Sequence, residues 1–199
     1  MDPVEALRAG KPVVLPFDTV YGLAAEPYRS ESTRRLYELK GRAATQATAL
    51  VAVDLDYLLE CVPELRGRAA TLARQLLPGP LTLVVPNPAR RFRWLTGTSP
   101  ETIGVRVPEL TGPTREVLAR VGAVVATSAN LPGEPDPRSL ADVPEQIRAG
   151  AAAVLDGGEL AGTPSSVVDL TGPQPRILRE GAVPAEEILR RLQAPVRSS

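Results

Sequence analysis

The chain contains no histidine, one cysteine (Cys61) and only two lysines (Lys11 and Lys40), so 21 of its 23 basic residues are arginine. Without histidine there is no Ser-His-Asp triad, no Cys-His dyad and no imidazole metal ligand. A lone cysteine excludes an intrachain disulfide and a cysteine-rich zinc site, and fits a reducing compartment. Aromatic residues make up only 4% of the chain, which leaves few stacking platforms for single-stranded nucleic acid. No apolar run approaches the ~20 residues that span a bilayer. The opening, Met1-Asp2-Pro3-Val4-Glu5, lacks the basic and apolar regions of a signal peptide. Acidic and basic residues balance at 23 each, against a role in coating nucleic acid or an anionic membrane. These exclusions lead to the expectation of a soluble, cytoplasmic protein.

What is present is ordinary for a folded domain: 199 residues, 43% hydrophobic and 23% charged. A single domain over residues 1–192 is expected, with 193–199 as a frayed tail. The 21 prolines fall at the edges of periodic segments and act as punctuation. Asp2 as N-cap, Pro3 at the first helical position and Gly10 as a stop predict a first helix. Further helices are expected at Ser30–Lys40 (capped by Ser30 or Ser32), Pro63–Leu77, Thr114–Val121, roughly 139–149 and Ala185–Leu192. Strands are expected at Pro12–Pro16, Ala49–Val53, Leu81–Val85, Ile103–Val107, Ala123–Thr127, Ala152–Leu155, Ser166–Leu170 and Arg176–Leu178. Phe17 to Leu23 reads as a loop. Several strands follow one another without a helix between them, which predicts an α/β fold with a mixed sheet.

Four segments beside strand or helix ends are dense in polar groups: Asp18–Leu23, Lys40-Gly41-Arg42, Thr127-Ser128-Ala129-Asn130 and Pro164-Ser165-Ser166. Hydroxyls, an amide and cations around one sheet edge suit phosphate oxygens and the carboxylate and amine of an amino acid. Each also has an ordinary reading. Asp18-Thr19 can cap a turn, Lys40 and Arg42 can complement a helix dipole, and Ser128 with Asn130 can form an N-cap. The P-loop and the dinucleotide-binding glycine fingerprint are both missing, and Gly157-Gly158 is at best a turn.

In order along the chain, the segments resemble the YrdC-like family, the threonylcarbamoyl-AMP synthases. The resemblance rests on Pro16-Phe17-Asp18-Thr19-Val20-Tyr21-Gly22-Leu23, Lys40-Gly41-Arg42, Pro78-Gly79-Pro80-Leu81-Thr82 and Val105-Arg106-Val107-Pro108. It continues through Ser128-Ala129-Asn130-Leu131-Pro132-Gly133, Pro164-Ser165-Ser166 and Ile177-Leu178-Arg179-Glu180-Gly181, with Arg93-Trp94-Leu95-Thr96-Gly97 similar to bacterial members. It implies a twisted mixed sheet flanked by helices around a concave basic cavity. It also implies condensation of L-threonine, bicarbonate and ATP, with Mg²⁺, into threonylcarbamoyl-adenylate and pyrophosphate. Partner proteins would pass the threonylcarbamoyl group to the adenosine beside the tRNA anticodon, with a transient tRNA contact allowed and no membrane involved. The chain would be the short, single-domain type.

By the same resemblance Thr19, Arg106 and Ser165 contact threonine, and Arg42, Thr102, Ser128, Asn130 and Arg179 contact ATP. Lys40 and Arg42 are the cations of the catalytic step, both expected to stand exposed in the cleft; no protein metal-ligand set is implied. Departures from the family pattern are Phe17 for a threonine, Ala43 and Gln46 in the segment after Arg42, Pro132 for a serine and Asp136 where a serine is usual. Two other readings stand beside the synthase. One is a paralogue acting on another carbamoyl or acyl group, which Phe17 keeps open. The other is a non-catalytic RNA-binding module, which the neutral charge and scarce aromatics weaken.

Overall fold

The computed structural model describes residues 1–193; most of the expected tail lies outside them, and Gln193 closes the last helix. The chain opens as predicted. The Asp2 carboxylate accepts hydrogen bonds from the amides of Val4 and Glu5, Pro3 starts α1 (Pro3–Arg8), and Gly10 takes a positive φ just after it. There follow β1 (Val13–Pro16), β2 (Tyr21–Ala25), α2 (Ser30–Lys40), β3 (Ala49–Ala52), α3 (Leu55–Cys61), α4 (Gly67–Leu76), β4 (Leu81–Pro86) and β5 (Thr102–Arg106). The remainder is α5 (Gly112–Val121), β6 (Ala123–Ser128), α6 (Glu145–Gly150), β7 (Ala153–Val154), β8 (Ser166–Asp169), β9 (Arg176–Arg179) and α7 (Ala185–Gln193), with short 3₁₀ turns at Arg93–Leu95 and Leu140–Asp142.

The strands form one mixed sheet in the order β7-β1-β2-β6-β3-β5-β4-β8-β9. β7 on β1, β3 on β5 and β4 on β8 are parallel, and the other pairs antiparallel. The expected mixed α/β sheet flanked by helices is therefore what the chain forms.

Period-two alternation divides the strands between two cores. Val14, Leu23, Leu50, Leu83, Val105 and Val125 face one side, beneath α2, α3, α4, α6 and α7, and pack with Leu36, Leu58, Leu76, Ile147 and Ile188. Val13, Leu15, Ala24, Val51 and Val124 face the other side, beneath α1 and α5, with Leu7, Val117 and Leu118. This second layer covers only part of its face. Along β4 and β5 the side chains on that face, Thr82, Val84, Thr102 and Arg106, are half-buried and open onto a cleft. A sheet with one covered face and one half-open face gives the molecule its concavity.

Some local expectations need correction. Tyr21-Gly22-Leu23 is strand and not loop: Gly22 lies opposite Leu15 in β1 and Ser128 in β6. Burial on both faces hides the alternation there, and glycine imitates a turn signal. Neither Ser30 nor Ser32 caps α2; Arg29 holds the N-cap position without a side-chain bond, and the Ser32 hydroxyl donates to Glu26 at 3.0 Å. The helix expected from Pro63 begins only at Gly67, and α3 precedes it, capped by Asp54 on the amide of Tyr57.

Candidate active site

The cleft has a volume of about 340 Å³ and lies over β4, β5, β6 and the start of β8. Arg42, Arg106 and Arg179 reach it from three separate parts of the chain, against the single carboxylate of Asp136 on its wall, so the concave surface is basic although the chain is neutral.

Arg42 is placed by the end of α2. Gly41 takes the left-handed conformation at the helix C-terminus, and the amides of Gly41 and Arg42 turn back onto the carbonyls of Glu38 and Tyr37. The guanidinium then donates to the Ala47 carbonyl at 2.5 Å. Burial pushes its pKa down, with Tyr37 opposing. Arg106 ends β5, where it forms an ion pair with Asp18 and donates to the Thr19 hydroxyl at 2.9 Å. Burial weighs against the Arg106 cation and the Asp18 carboxylate offsets it. The Phe17 ring lies 6.0 Å from the guanidinium carbon, a cation–π distance. The Nε atoms of Arg42 and Arg106 are buried and make no hydrogen bond within the protein. Such orphaned donors are rare, and an oxygen anion would satisfy them.

From the edge strand β9, Arg179 donates to the Ser165 carbonyl at 2.7 and 3.1 Å and to its hydroxyl at 3.3 Å. The Ser165 hydroxyl also lies 2.8 Å from that of Thr82. Thr102 and Ser128 complete the predicted residues that line the cleft. Seven of those nine therefore meet in one cavity: Thr19, Arg42, Thr102, Arg106, Ser128, Ser165 and Arg179.

Lys40 and Asn130 do not line it. Lys40 is 4% exposed, against the expectation of an open cleft cation. Its ammonium donates to the carbonyls of Ser128 and Asn130 at 2.6 and 2.7 Å and to Asn130 Oδ1 at 2.7 Å. Asn130 is itself buried, accepts from the Ser128 hydroxyl at 2.6 Å, and donates to the Glu134 carbonyl at 2.6 Å. The pair forms a brace behind the cleft that holds the loop after β6. Burial, and then the charge of Arg42, lower the Lys40 pKa to about 8 despite Asp136 and Glu134.

Sequence reasoning gave no role to Asp18, which anchors Arg106, or to Thr82, which meets Ser165. Both stood inside motifs already singled out, and an acid one residue before a substrate-contacting threonine was the available signal. Among the departures, Phe17 and Asp136 line the cleft, whereas Ala43, Gln46 and Pro132 do not. Among the described residues no group of three or more His, Cys, Asp or Glu side chains gathers to hold a metal, and no helix is long and apolar enough to cross a membrane.

Comparison with known proteins gives consistent relatives. The Sua5/YciO/YrdC family model, described as telomere recombination, matches residues 5–181. A protein of Pyrococcus abyssi (strain GE5 / Orsay) named threonylcarbamoyl-AMP synthase is 36% identical over 183 residues, 92% of this chain and 54% of that protein. This chain thus spans about half the length of the Pyrococcus relative. A protein of the same name from Pseudomonas syringae pv. syringae (strain B728a) is 36% identical over 182 residues, 88% of this chain and 93% of its own length. Among solved structures, P. abyssi Sua5 complexed with L-threonine superposes with a TM-score of 0.84 at 34% identity, covering 96% of this chain and 56% of that one. E. coli YciO superposes at 0.79 with 25% identity, covering 93% and 90%. With the family model spanning most of its length and two relatives more than one-third identical, this chain belongs to the Sua5/YciO/YrdC family.

Proposed function

We propose that this chain synthesises L-threonylcarbamoyl-adenylate and pyrophosphate from L-threonine, bicarbonate and ATP, a reaction that serves threonylcarbamoyladenosine formation in tRNA. The observation that carries this reading is the convergence of Arg42, Arg106 and Arg179 on one concave cleft, each beside hydroxyls or open donors. The names of the relatives and the threonine-bound Pyrococcus structure support the same choice of substrate.

The chemistry asks little of the protein beyond placement. Threonine and bicarbonate combine, with loss of water, to a carbamate that is unstable in bulk water. A carbamate oxygen attacks the α-phosphorus of ATP, the bond to the β-phosphate oxygen breaks, and pyrophosphate leaves with the electron pair. The carbamate is already an anion, so no protein base is needed and the missing histidine does no harm. Arg106, held by Asp18 and Thr19, is positioned for the carboxylate or carbamate. Ser165, aligned by Arg179 and Thr82, supplies a hydroxyl to the same end. Arg42, Thr102 and Ser128 face the nucleotide. Lys40 and Asn130 brace the end of β6, where Ser128 stands, and the loop that follows it. Fixed donors that need no rearrangement as charge moves onto the leaving group lower the barrier through orientation and electrostatics.

Mg²⁺ bound with the nucleotide supplies charge neutralisation on the phosphates. The cleft offers it one unpaired carboxylate, Asp136, and Mg²⁺ is commonly held by one or two carboxylates together with substrate phosphates and water. The product, a reactive mixed anhydride, calls for a partner that transfers its carbamoyl group. That role, together with a transient tRNA contact and a cytoplasmic location, belongs to the same proposal. Pyrophosphate release measured with each substrate omitted in turn tests the reaction. Release that needs ATP, threonine and bicarbonate together supports it, and release indifferent to threonine overturns it.

A further inference from the structure

Asp136 is a carboxylate on the cleft wall whose charge acts on buried Lys40 but which forms no ion pair with a described cation. Asp18, the other acid near the cleft, is held by Arg106. Asp136 makes no hydrogen bond or ion pair with any described residue, although Arg42 and Ser128 line the same cavity. Its placement is not left to a loose loop. On one side Glu134 is tied by its carbonyl to Asn130, and its amide and carboxylate bond to Leu131. On the other side the Pro137 carbonyl accepts the amide of Tyr21 in β2 at 2.9 Å. Between these ties Asp136 is flanked by Pro135 and Pro137, whose rings fix φ and stiffen the segment.

An acid carried on a restrained backbone and lining the place where a polyphosphate is to bind repels that ligand unless a cation stands between them. A hard divalent ion with phosphate and water ligands takes a single protein carboxylate readily. We propose that Asp136 is the protein ligand of the divalent cation that enters with ATP. The inference rests on the nucleotide reading of the cleft given above and adds to it a specific division of labour. Arg42 would face the phosphate oxygens, and one carboxylate would hold the ion that enters with them. It also explains how an acid is tolerated at a position where a hydroxyl would serve as a neutral donor: the acid makes nucleotide binding dependent on the ion.

The test is equilibrium binding of ATP to the wild-type protein and to Asp136→Asn, by calorimetry, at one ionic strength, with Mg²⁺ in one arm and EDTA in the other. Asp136→Ser serves as a second variant, and thermal unfolding checks that both are folded. The expected result has opposite signs in the two arms. With Mg²⁺ the variants bind ATP about tenfold to a hundredfold more weakly, on the scale by which loss of even an outer-shell partner lowers metal affinity. With EDTA they bind as tightly as the wild type or more tightly, because a repulsive charge is gone. Mn²⁺ gives a second readout: in the presence of ATP the wild type depletes the free-ion electron paramagnetic resonance signal at lower Mn²⁺ than either variant. Equal losses in both arms, or no change in either, overturn the assignment. Wild-type protein that binds ATP in neither arm overturns the nucleotide reading and this inference with it, an outcome distinct from the others.

Discussion

Replacing Lys40 by methionine keeps a four-atom apolar stem in place of the buried side chain and removes its ammonium. Three acceptors then lose their donor: the carbonyls of Ser128 and Asn130 and the Asn130 side-chain oxygen, now 2.6 to 2.7 Å from the nitrogen. Hydrogen bonds from a charged donor contribute about 1.5–3 kcal/mol each, and part of that is returned because the buried cation no longer has to be desolvated. The depressed pKa of Lys40 is the sign of that desolvation. Asn130 Oδ1 also keeps its bond from the Ser128 hydroxyl. The net loss is then about 3 kcal/mol, and for a chain of this length that lowers the melting temperature by roughly 6–12 °C. Activity falls as well, because the end of β6 that carries Ser128 loses its brace. The pH dependence has a definite sign. The folded-state pKa of about 8 lies below the ordinary value of 10.5, so between these values the unfolded chain binds more protons than the folded one. Wild-type stability therefore rises relative to Lys40→Met as pH climbs from about 8 towards 10.5, and the difference shrinks as pH falls through 8. Urea titrations at pH 7, 8, 9 and 10 read both effects. A variant that melts within about 2 °C of the wild type while losing all activity would refute the brace and return the ammonium to the chemistry.

Two further substitutions probe the floor of the cleft. Asp18→Asn leaves the Arg106 guanidinium, whose side chain is 12% exposed, without its counter-charge. Breaking a buried pair in this way is expected to cost about 3–5 kcal/mol in urea unfolding, together with a raised threonine KM; a change below about 1 kcal/mol would show the pair to be dispensable. Gly22→Ala places a methyl group 2.6 Å from the Phe17 ring, and overpacking of that kind destabilises by about 1–3 kcal/mol. Phe17→Leu in the same chain should recover part of the loss, and no recovery would mean that the strain lies in the backbone.

The sheet was legible wherever one face is buried and the other open, because alternation in β4 and β5 separates Leu83 and Val105 from Thr82 and Arg106. That same alternation marks the cleft, since the half-buried residues are the ones that line it. β2 was hidden because Tyr21 to Ala25 is buried on both faces, and a glycine accommodates the ring of Phe17. α3 escaped because only Leu58 in it is fully buried, which leaves no apolar stripe to read. Motif order brought seven of the nine expected residues to one cavity. It could not show that Lys40, two residues from Arg42, is buried against Ser128 and Asn130 while Arg42 lines the cleft: Lys40 still belongs to the last turn of α2, whereas Arg42 lies beyond the left-handed Gly41. Spacing along a chain gives proximity and does not say which of two neighbouring cations is buried.

The most direct test of the account is pyrophosphate release by the purified wild-type chain with Mg²⁺, run with ATP alone and with threonine, bicarbonate or both added. The account predicts release only when all three substrates are present, with a new adenylate that carries the threonine carbon skeleton. Release from ATP that is unaffected by threonine, or no release from folded protein with all three present, would contradict it.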